Sequence, residues 1–563
     1  MSSGSRPPTP MTSRSGGTAE MTGPAAGAEV KGGRLLVEAL RSEGVDTLFG
    51  MIGSHVTEVY DALPASGIRT IDVRHEQAAA YMADGYARAT GRPGVAVVTA
   101  GPGALNTLTG VGTAFADSSP ILVIAGQVPS DVLGLGKGAF HECPDQLGIF
   151  RSITGWSGRP KSVAEIPDAV HDAFAELRGG RPRPAYLEIP SDLLERTGVR
   201  TGAEPRPTPA RRAADADVRR ATALLARSVA PALWAGGGVL RSGASAELRV
   251  LAETLGAPVF MTCGGKGAIP ADHPLAVDYW LPAEPARALL AASDLVLAVG
   301  SRFTSMATAG WTVPLPPLAQ IDLDPAELGK NYPVGLGLLG DARTVLGQIL
   351  EAAPAGGWGR RASRAGAVGR VRTAVEAEAG RRFPDALGLL AAIRSAAGRE
   401  AIVVCDITTL GTLARRYFSV YEPRTFICPL GFGTLGSAYP LALGAKAGQP
   451  TRSVVAICGD GGFLFNAQEL ATAVQCGLDV VAVLVNDGGY GAIRDWQRRH
   501  AGGRFVGVDL HTPDFVGLAR SFGAEAVRAD TIESVGALLE TALRARRPAV
   551  LEVPVTLEHP GFG

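Results

Sequence analysis

The stretch GDGGF at residues 459–463, followed by Asn486, decides the fold of this chain. An apolar run at residues 453–458 precedes the glycines, and a second at residues 480–485 precedes the asparagine. A helix-like run lies between them and ends before Gly477. Short apolar strands joined by a helix predict a βαβ unit in a parallel sheet covered on both faces. Asp460 and Asn486 should therefore emerge at the carboxyl ends of neighbouring strands, where open α/β sheets bind ligands.

The residue types at this predicted edge suit a site for Mg²⁺ and a diphosphate. The carboxylate of Asp460, the amide oxygen of Asn486 and a nearby backbone carbonyl are hard ligands of the kind that Mg²⁺ takes. Gly459, Gly461 and Gly462 expose backbone N–H groups near a helix start, which favours phosphate. For GDG alone, a tight turn with an unrelated acid is the alternative. The asparagine at the right distance and the two flanking strands favour the metal site.

Composition excludes several classes of protein. The chain has 563 residues, 46% hydrophobic and 19% charged, which predicts two to four globular domains. Its formal net charge is +0 and it has no long basic stripe, so nucleic acid is not expected as a partner. No apolar run is long enough to span a membrane. The six cysteines are scattered and form no CxxC pair, which fits a reduced, cytoplasmic protein.

The order of strand-like and helix-like runs divides the chain into three α/β domains. Residues 1–30 are rich in Ser, Gly, Pro and Thr and lack the apolar core of a secretory signal, so a disordered tail is expected. The domains are predicted at residues 31–200, 213–352 and 381–563, with a Gly/Ala/Arg-rich linker at 353–380. Short Val/Ile/Leu strands alternate with amphipathic helices throughout, which predicts three doubly wound, mainly parallel sheets.

Glu76 is the candidate functional acid of the first domain. It follows a predicted strand and opens an Ala-rich helix that continues to Arg88. A glutamate in the first turn of a helix is usually a surface acid that complements the helix dipole. The apolar surroundings predicted for this helix make a desolvated, functional carboxylate the competing interpretation.

The motifs together resemble a known family. His75-Glu76, TAGPGALN at residues 99–106 and GQVP at residues 126–129 resemble the pyrimidine-binding domain of the acetolactate synthase-like family of thiamin-diphosphate-dependent 2-oxo acid decarboxylases and carboligases. GFGTLG at residues 431–436 and the GDG–Asn block resemble its diphosphate-binding domain. The similarity runs from about residue 32 to the end. It implies a pyrimidine-binding, a central and a diphosphate/Mg²⁺-binding domain, in that order.

The resemblance implies roles for the residues that match the family motifs. Glu76 would hydrogen-bond N1′ of the aminopyrimidine, and Leu435 would wedge the cofactor into its bent shape. The Gly433 carbonyl would accept the 4′-amino group. The cofactors implied are thiamin diphosphate and Mg²⁺. The remaining contacts that the resemblance implies are Asp460, Asn486 and the carbonyl of Gly488 for the metal, the glycines of the 459–462 loop for the diphosphate, and Thr409 as a further diphosphate contact.

His141 is the main departure from the family pattern. It lies in FHE at residues 140–142, where acetolactate synthases usually read Phe-Gln-Glu. A lone histidine is more often a core or surface residue, but an imidazole at this position can protonate an enamine, whereas an amide cannot. The substrate-pocket candidates are Ser54, Gln127, Ile493 and Trp496. Ser54 as a helix-capping turn residue and Trp496 as core packing are the alternatives.

The central domain departs from the flavin-binding members of the family. The usual Arg-Phe-Asp-Asp-Arg reads Arg302-Phe303-Thr304-Ser305-Met306 here, and the expected Met-His-Gly is missing near Trp280. We therefore expect FAD to be weakly bound or absent.

The function implied is decarboxylation of a small-molecule 2-oxo acid through an enamine intermediate, with His141 as the candidate acid. The alternative is an acetolactate synthase-type transferase that joins the enamine to a second oxo acid. A third possibility is a protein that binds the cofactor without catalysis, although the intact Glu76, Asp460 and Asn486 argue against it. In this family the site spans two subunits, so the resemblance implies a homodimer or homotetramer with active sites at the interface.

Overall fold

The uninterrupted apolar runs of the sequence form buried parallel strands in three sheets. The computed structural model describes residues 27–561 apart from 201, 355–357, 359 and 360. Within that part of the chain each domain has one six-stranded, wholly parallel sheet. The predicted fold class, three doubly wound α/β domains, is confirmed.

The first domain has the sheet order β3-β2-β4-β5-β7-β6, and its terminal strands β1 and β8 pair separately in antiparallel fashion. Its strands are β1 (Glu29–Lys31), β2 (Thr47–Gly50), β3 (Arg69–Asp72), β4 (Gly94–Val98), β5 (Ile121–Gln127), β6 (Trp156–Gly158), β7 (Ala185–Pro190) and β8 (Thr197–Val199). Its helices are α1 (Gly32–Ser42), α2 (Thr57–Ala62), α3 (Glu76–Thr90), α4 (Pro102–Asn106), α5 (Leu108–Asp117), α6 (Gln146–Arg151), α7 (Ile166–Gly179) and α8 (Ser191–Glu195).

The central domain has the sheet order β11-β10-β9-β12-β13-β14. Its strands are β9 (Pro231–Ala235), β10 (Val259–Met261), β11 (Ala276–Val277), β12 (Leu295–Val299), β13 (Leu318–Asp322) and β14 (Leu336–Leu339). Its helices are α9 (Asp215–Arg227), α10 (Gly237–Ser242), α11 (Ser245–Leu255), α12 (Glu284–Ala291) and α13 (Ala342–Glu351), and α14 (Ala365–Arg382) follows them.

The third domain has the sheet order β16-β15-β17-β18-β20-β19. Its strands are β15 (Ile402–Cys405), β16 (Phe426–Ile427), β17 (Val454–Gly459), β18 (Val480–Asn486), β19 (Glu525–Arg528) and β20 (Ala549–Pro554). Its helices are α15 (Pro384–Ala397), α16 (Thr409–Tyr417), α17 (Ala438–Gly448), α18 (Asp460–Phe463), α19 (Glu469–Cys476), α20 (Gly491–His500), α21 (Phe515–Ser521) and α22 (Val535–Ala545).

The first and third domains share one hydrophobic core. Along β4, Ala96 and Val98 face a core that also contains Ala456 of β17, whereas Val95 and Val97 face a separate core under α1 and α7. This alternation shows that both faces of the sheet are buried, as a parallel sheet requires. No helix in the described ranges is long and apolar enough to cross a membrane.

Helices α3 and α17 cross at two glycines. A Cβ placed on Gly85 would lie 1.9 Å from the carbonyl oxygen of Leu441, and one on Gly444 would lie 1.9 Å from that of Met82. Each helix thus uses a glycine to let the backbone of the other approach, which side chains would prevent. This crossing fixes the start of α3, and therefore Glu76, relative to the third domain.

Two predicted boundaries differ from the structure. Most of the predicted tail, residues 1–26, lies outside the described residues, but Glu29–Lys31 already forms β1. The predicted linker at 353–380 contains most of α14, which packs against α12 and α15. Its buried face is Val368, Val371, Val375 and Ala379. The Gly- and Arg-rich composition concealed this apolar stripe.

Candidate active site

Asp460 and Asn486 lie at the same edge of the third sheet. Gly459 of β17 pairs with Val485 of β18, so Asp460 and Asn486 are the next residues on two neighbouring strands. The buried carboxylate of Asp460 accepts the backbone N–H of Gly461 at 2.7 Å and that of Gly489 at 3.0 Å. The predicted meeting of the two strand ends is thus present in the fold.

The charges at this edge fit a divalent cation. Burial raises the pKa of Asp460. Burial, and after it the charge of Asp460, raises the pKa of Asp487 to about 6. A cation bound between these two carboxyl groups would offset their mutual repulsion and stabilise the ionised form of both. Thr409 borders the same corner, because a Cβ on Gly491 would lie 2.3 Å from the Asp487 carboxylate and 3.6 Å from the Thr409 hydroxyl.

The Gly488 carbonyl has partners of its own. It accepts the backbone N–H of Leu510 at 2.9 Å and the guanidinium of Arg494 at 3.2 Å. A metal bound to this oxygen requires the Arg494 side chain to turn away. No group of three or more His, Cys, Asp and Glu side chains that could hold a metal occurs among the described residues. A cation at Asp460 would therefore take its other ligands from amide or carbonyl oxygens, water or a phosphate.

Glu552 of β20 orients the amide of Asn486, and it was missed at the sequence level. Its carboxylate is fully buried and accepts the Asn486 side-chain N–H at 2.8 Å, while Arg528 donates to its other oxygen at 2.9 Å. With its nitrogen held by Glu552, Asn486 presents its oxygen to the strand edge. The one signal in the sequence was an acid within the apolar strand AVLEVP at residues 549–554.

Asp406 secures the loop that carries the predicted wedge residue. Both of its carboxylate oxygens accept the backbone N–H of Gly436, at 3.1 and 2.9 Å, and burial raises its pKa to about 6. Leu435, the predicted wedge, is half-buried directly before this anchor. Gly433 is exposed with a φ of +70°, a backbone conformation that favours glycine.

Glu76 is the first residue of α3 and is half-buried. Asn106 donates its amide N–H to Glu76 Oε2 at 2.9 Å. The other oxygen, Oε1, borders Gly103, where a Cβ would lie 3.4 Å away and also 2.7 Å from Thr99 Cγ2. The TAGPGALN loop therefore contacts Glu76 through both an amide and a glycine. A carboxylate held at one oxygen with space beside the other suits a ring nitrogen.

His141 belongs to an aromatic stack beside that loop. Its ring centroid lies 3.9 Å from that of Phe140 and 5.2 Å from that of His55. The backbone at His141 is left-handed (φ 66°), and its carbonyl would lie 2.5 Å from a Cβ on Gly101. The buried Nδ1 of His141 has no hydrogen-bond partner within the described residues. The ring as a whole is only half-buried.

His55 was noticed only as a polar residue in the sequence, and the structure pairs it with His141. Its Nδ1 lies 3.1 Å from the Ser54 hydroxyl and 3.3 Å from the Thr99 hydroxyl. Burial lowers the pKa of His55, and the neighbouring His141 lowers it further. The side chains of Ser54, His55 and His141 therefore lie together at the carboxyl end of β4. The sequence did not predict this pairing, because the two histidines are 86 residues apart.

The other predicted pocket residues divide into two groups. Ile493 and Trp496 lie one turn apart on α20 and are 47% and 46% exposed, so Trp496 is not a core residue of the single chain. Gln127 has no exposed surface, and its side-chain oxygen accepts the backbone N–H of Val128 at 2.8 Å. Gln127 thus hydrogen-bonds the backbone at the end of β5, and its contact with substrate stays a prediction.

A cavity of about 710 Å³ lies between the central domain and the other two. The loop predicted to lack the flavin contacts, residues 302–306, lines it together with Asp322, whose pKa burial raises to about 6. Arg302 and Arg241 also line it, but their guanidinium groups donate to the carbonyls of Ala116 and Asp117 at the end of α5. These cations therefore cap a helix carboxyl terminus. Weak or absent FAD binding stays a prediction.

Comparison with known proteins identifies the family. Three profiles match: "Thiamine pyrophosphate enzyme, N-terminal TPP binding domain" at residues 30–149, the corresponding "central domain" at residues 218–349, and "C-terminal TPP binding domain" at residues 406–553. Each match lies within one of the three domains, although the first ends before β6 and β7 and the third begins just after β15. The chain is a thiamin-diphosphate-dependent enzyme and belongs to the thiamine pyrophosphate enzyme family, so the resemblance predicted from the motifs is confirmed.

Full-length relatives fall into two activities by name. The "Probable 2-ketoarginine decarboxylase AruI" of Pseudomonas aeruginosa is 38% identical over 520 residues, covering 91% of each chain. The "Probable acetolactate synthase large subunit" of Methanocaldococcus jannaschii is 35% identical over 547 residues, covering 93% of this chain and 92% of that one. The "Acetolactate synthase large subunit" of Parasynechococcus marenigrum is 35% identical, covering 93% and 88%.

Proposed function

We propose that this protein is a thiamin-diphosphate- and Mg²⁺-dependent decarboxylase of a 2-oxo acid. The observation that carries the proposal is His141, whose Nδ1 has no partner within the described residues and whose ring stacks on His55 beside the loop that contacts Glu76. An imidazole there can deliver a proton to the carbon that has lost CO₂. The relative named as a 2-ketoarginine decarboxylase adds support.

The residues around the strand ends would hold the cofactor. Bound thiamin diphosphate supplies a carbanion that adds to the keto carbon and accepts the electrons released with CO₂. Glu76 would bind the aminopyrimidine nitrogen through Oε1, because Asn106 occupies Oε2. Asp460 and Asn486 would hold Mg²⁺ against the diphosphate, since they offer hard oxygen donors at one edge.

His55 is the histidine that stacks on the candidate acid His141. Two stacked imidazoles 5.2 Å apart disfavour a second positive charge, and the more buried His55 has the lowered pKa. We assign delivery of the proton to His141, whose Nδ1 has no hydrogen-bond partner within the described residues. His141 would donate that proton during turnover and regain it from solvent, because it is only half-buried.

A carboligase of the acetolactate synthase type is the second candidate. It is favoured by the relatives that carry that name and by the exposed pair Ile493 and Trp496, which could receive a second oxo acid. The two reactions differ in the fate of the carbon that loses CO₂: a proton gives an aldehyde, and a second oxo acid gives an acetohydroxy acid.

Product analysis separates the two candidates. The purified protein with thiamin diphosphate and Mg²⁺ is given a panel of 2-oxo acids that includes pyruvate and 2-ketoarginine, and CO₂, aldehydes and acetohydroxy acids are quantified. We expect CO₂ and an aldehyde, and acetolactate as the main product from pyruvate would overturn the decarboxylase. His141→Gln should slow aldehyde formation by about 10²-fold or more while cofactor binding persists. His273→Gln, in the central domain, is the matched control.

We further propose that the protein works in the cytoplasm as a homodimer or homotetramer with active sites between subunits. Large apolar residues close to both halves of the site are exposed in the single chain: Phe140, Phe432, Phe465, Ile493 and Trp496. Several exposed large apolar side chains near one site are typical of an interface.

A further inference from the structure

A buried glutamate of the third domain contacts the loop that carries Glu76. Glu469, the first residue of α19, is fully buried. Its two carboxylate oxygens lie 3.0 and 3.2 Å from the backbone nitrogen of Arg74 and accept its N–H. It also accepts the hydroxyl of Thr472 at 2.6 Å. The backbone N–H of Arg74, two residues before Glu76, is thus bound by a carboxylate from another domain.

The same face of α19 continues this contact along the first domain. The Thr472 hydroxyl lies 3.2 Å from the carbonyl oxygen of Asp72, the last residue of β3, and the Cys476 carbonyl accepts the guanidinium of Arg69 at 3.0 Å. Residues 469, 472 and 476 are three and four positions apart, which places them on one side of a helix. The contact at Glu469 is therefore part of an ordered interface.

Packing alone does not explain a carboxyl group at this position. Burial raises the pKa of Glu469 to about 7, which reflects the cost of placing its charge there. An apolar side chain of similar volume would fill the space without that cost. The carboxyl group provides an acceptor for a backbone N–H at the junction of β3 and α3, which an apolar side chain does not. This donor lies directly before the N-cap of α3, where the helix dipole also favours a negative or polar acceptor.

We propose that Glu469 is a positioning residue that fixes the backbone at Arg74 and so sets the place of the Glu76 carboxylate. The inference rests on the proposed role of Glu76 at the aminopyrimidine. Glu76 begins a helix whose first turn has His75 as its N-cap, with the imidazole accepting the Gln77 N–H at 3.2 Å. A shift of the backbone at Arg74 would rotate the first turn and move Glu76 relative to Asn106.

The test measures cofactor activation in the holoenzyme. Wild type, Glu469→Ala, Glu469→Gln and Glu76→Gln are loaded with thiamin diphosphate and Mg²⁺. The rate of C2-proton exchange, cofactor affinity and thermal stability are then recorded. Glu469→Ala should slow exchange about tenfold or more with cofactor affinity changed less than threefold, because misplacement affects the reacting geometry more than binding. Glu469→Gln keeps one acceptor oxygen and should fall in between, about threefold slower.

Glu327→Gln is the matched control. Glu327 is also a buried carboxylate between two domains, where it accepts Arg181, and it has no contact with the Glu76 loop among those described. It should lose stability without slowing exchange. Wild-type exchange in a folded Glu469→Ala would overturn the proposal, and if that variant does not fold, wild-type exchange in Glu469→Gln would do so. Wild-type exchange in Glu76→Gln would instead refute the proposed function.

Discussion

The orientation of Asn486 depends on a single carboxylate 66 residues further along the chain. Glu552 accepts the amide N–H at 2.8 Å, so its removal frees Asn486 to turn its nitrogen toward the metal position. We expect Glu552→Ala to weaken Mg²⁺ binding by about 10- to 100-fold, the usual effect of losing a residue that orients a metal ligand. Calorimetric titration with Mg²⁺ at saturating thiamin diphosphate measures the change in Mg²⁺ affinity.

The control for that change is Glu525→Ala on the neighbouring strand. Glu525 is exposed at the amino end of β19 and pairs with Arg547 at 2.6 Å, so its loss removes an acid from the same sheet without touching Asn486. Equal Mg²⁺ affinity in wild type and a folded Glu552→Ala would mean that the Asn486 amide is oriented by other contacts.

Single side chains were predictable where their partners are close in sequence or fixed by strand ends. Asp460 and Asn486 each follow an apolar strand, so the parallel sheet alone brings them together. Glu552, Glu469 and the pairing of His55 with His141 were not predictable, because each contact joins distant positions and depends on how whole elements pack. Within one sequence, a buried acid in an apolar strand or helix was the only available signal.

The crossing of α3 and α17 depends on glycine at its closest point. At Gly85 a Cβ would meet the Leu441 carbonyl at 1.9 Å, and a backbone atom cannot move aside as a side-chain end can. We expect Gly85→Ala to destabilise the protein by about 1–3 kcal/mol or more, despite the better helix propensity of alanine. Denaturant unfolding of the purified protein gives the difference in midpoint.

Gly347→Ala in α13 separates that clash from the effect of propensity. Gly347 also lies inside a helix, but a Cβ there would meet nothing within 4 Å. This variant should gain about 0.5–1 kcal/mol from the lower entropy of the unfolded chain. If both alanines raised the midpoint, the two helices would not be as close as the structure has them.

At the level of elements, periodicity predicted the strands and most helices. The Gly- and Arg-rich composition of residues 353–380 predicted a linker where the structure has most of α14. The helix-like run predicted at Asn466–Cys476 forms α19 from Glu469 onward, and residues 464–468 separate it from the short α18. Asn466 lies in this break and donates its side-chain amide to the Gly436 carbonyl at 2.8 Å. That contact between two loops of the third domain interrupts the helix, and no local pattern predicts it.

The whole molecule combines three similar sheets, and the first and third share a core. The alternation of strands and helices predicted three parallel sheets, because each crossover connection returns the chain to the same edge. The order of strands within each sheet and the shared core did not follow from the pattern. Glu76 and Asp460 lie in these two domains, and their relation across subunits is the part of the site that stays a prediction.

Mixing two inactive variants tests whether the site is built from two chains. Glu76→Gln removes the aminopyrimidine contact and Asp460→Asn removes the metal ligand, so each should be inactive alone. In a dimer with one chain of each kind, a shared site would unite the intact Glu76 of one subunit with the intact Asp460 of the other. With random assembly, about half of the dimers contain one chain of each variant, and each of these has one intact site out of two. Co-expression should therefore recover about a quarter of wild-type activity. If both residues of a site came from one chain, no mixture would recover activity, and a mixture of either variant with itself supplies the baseline.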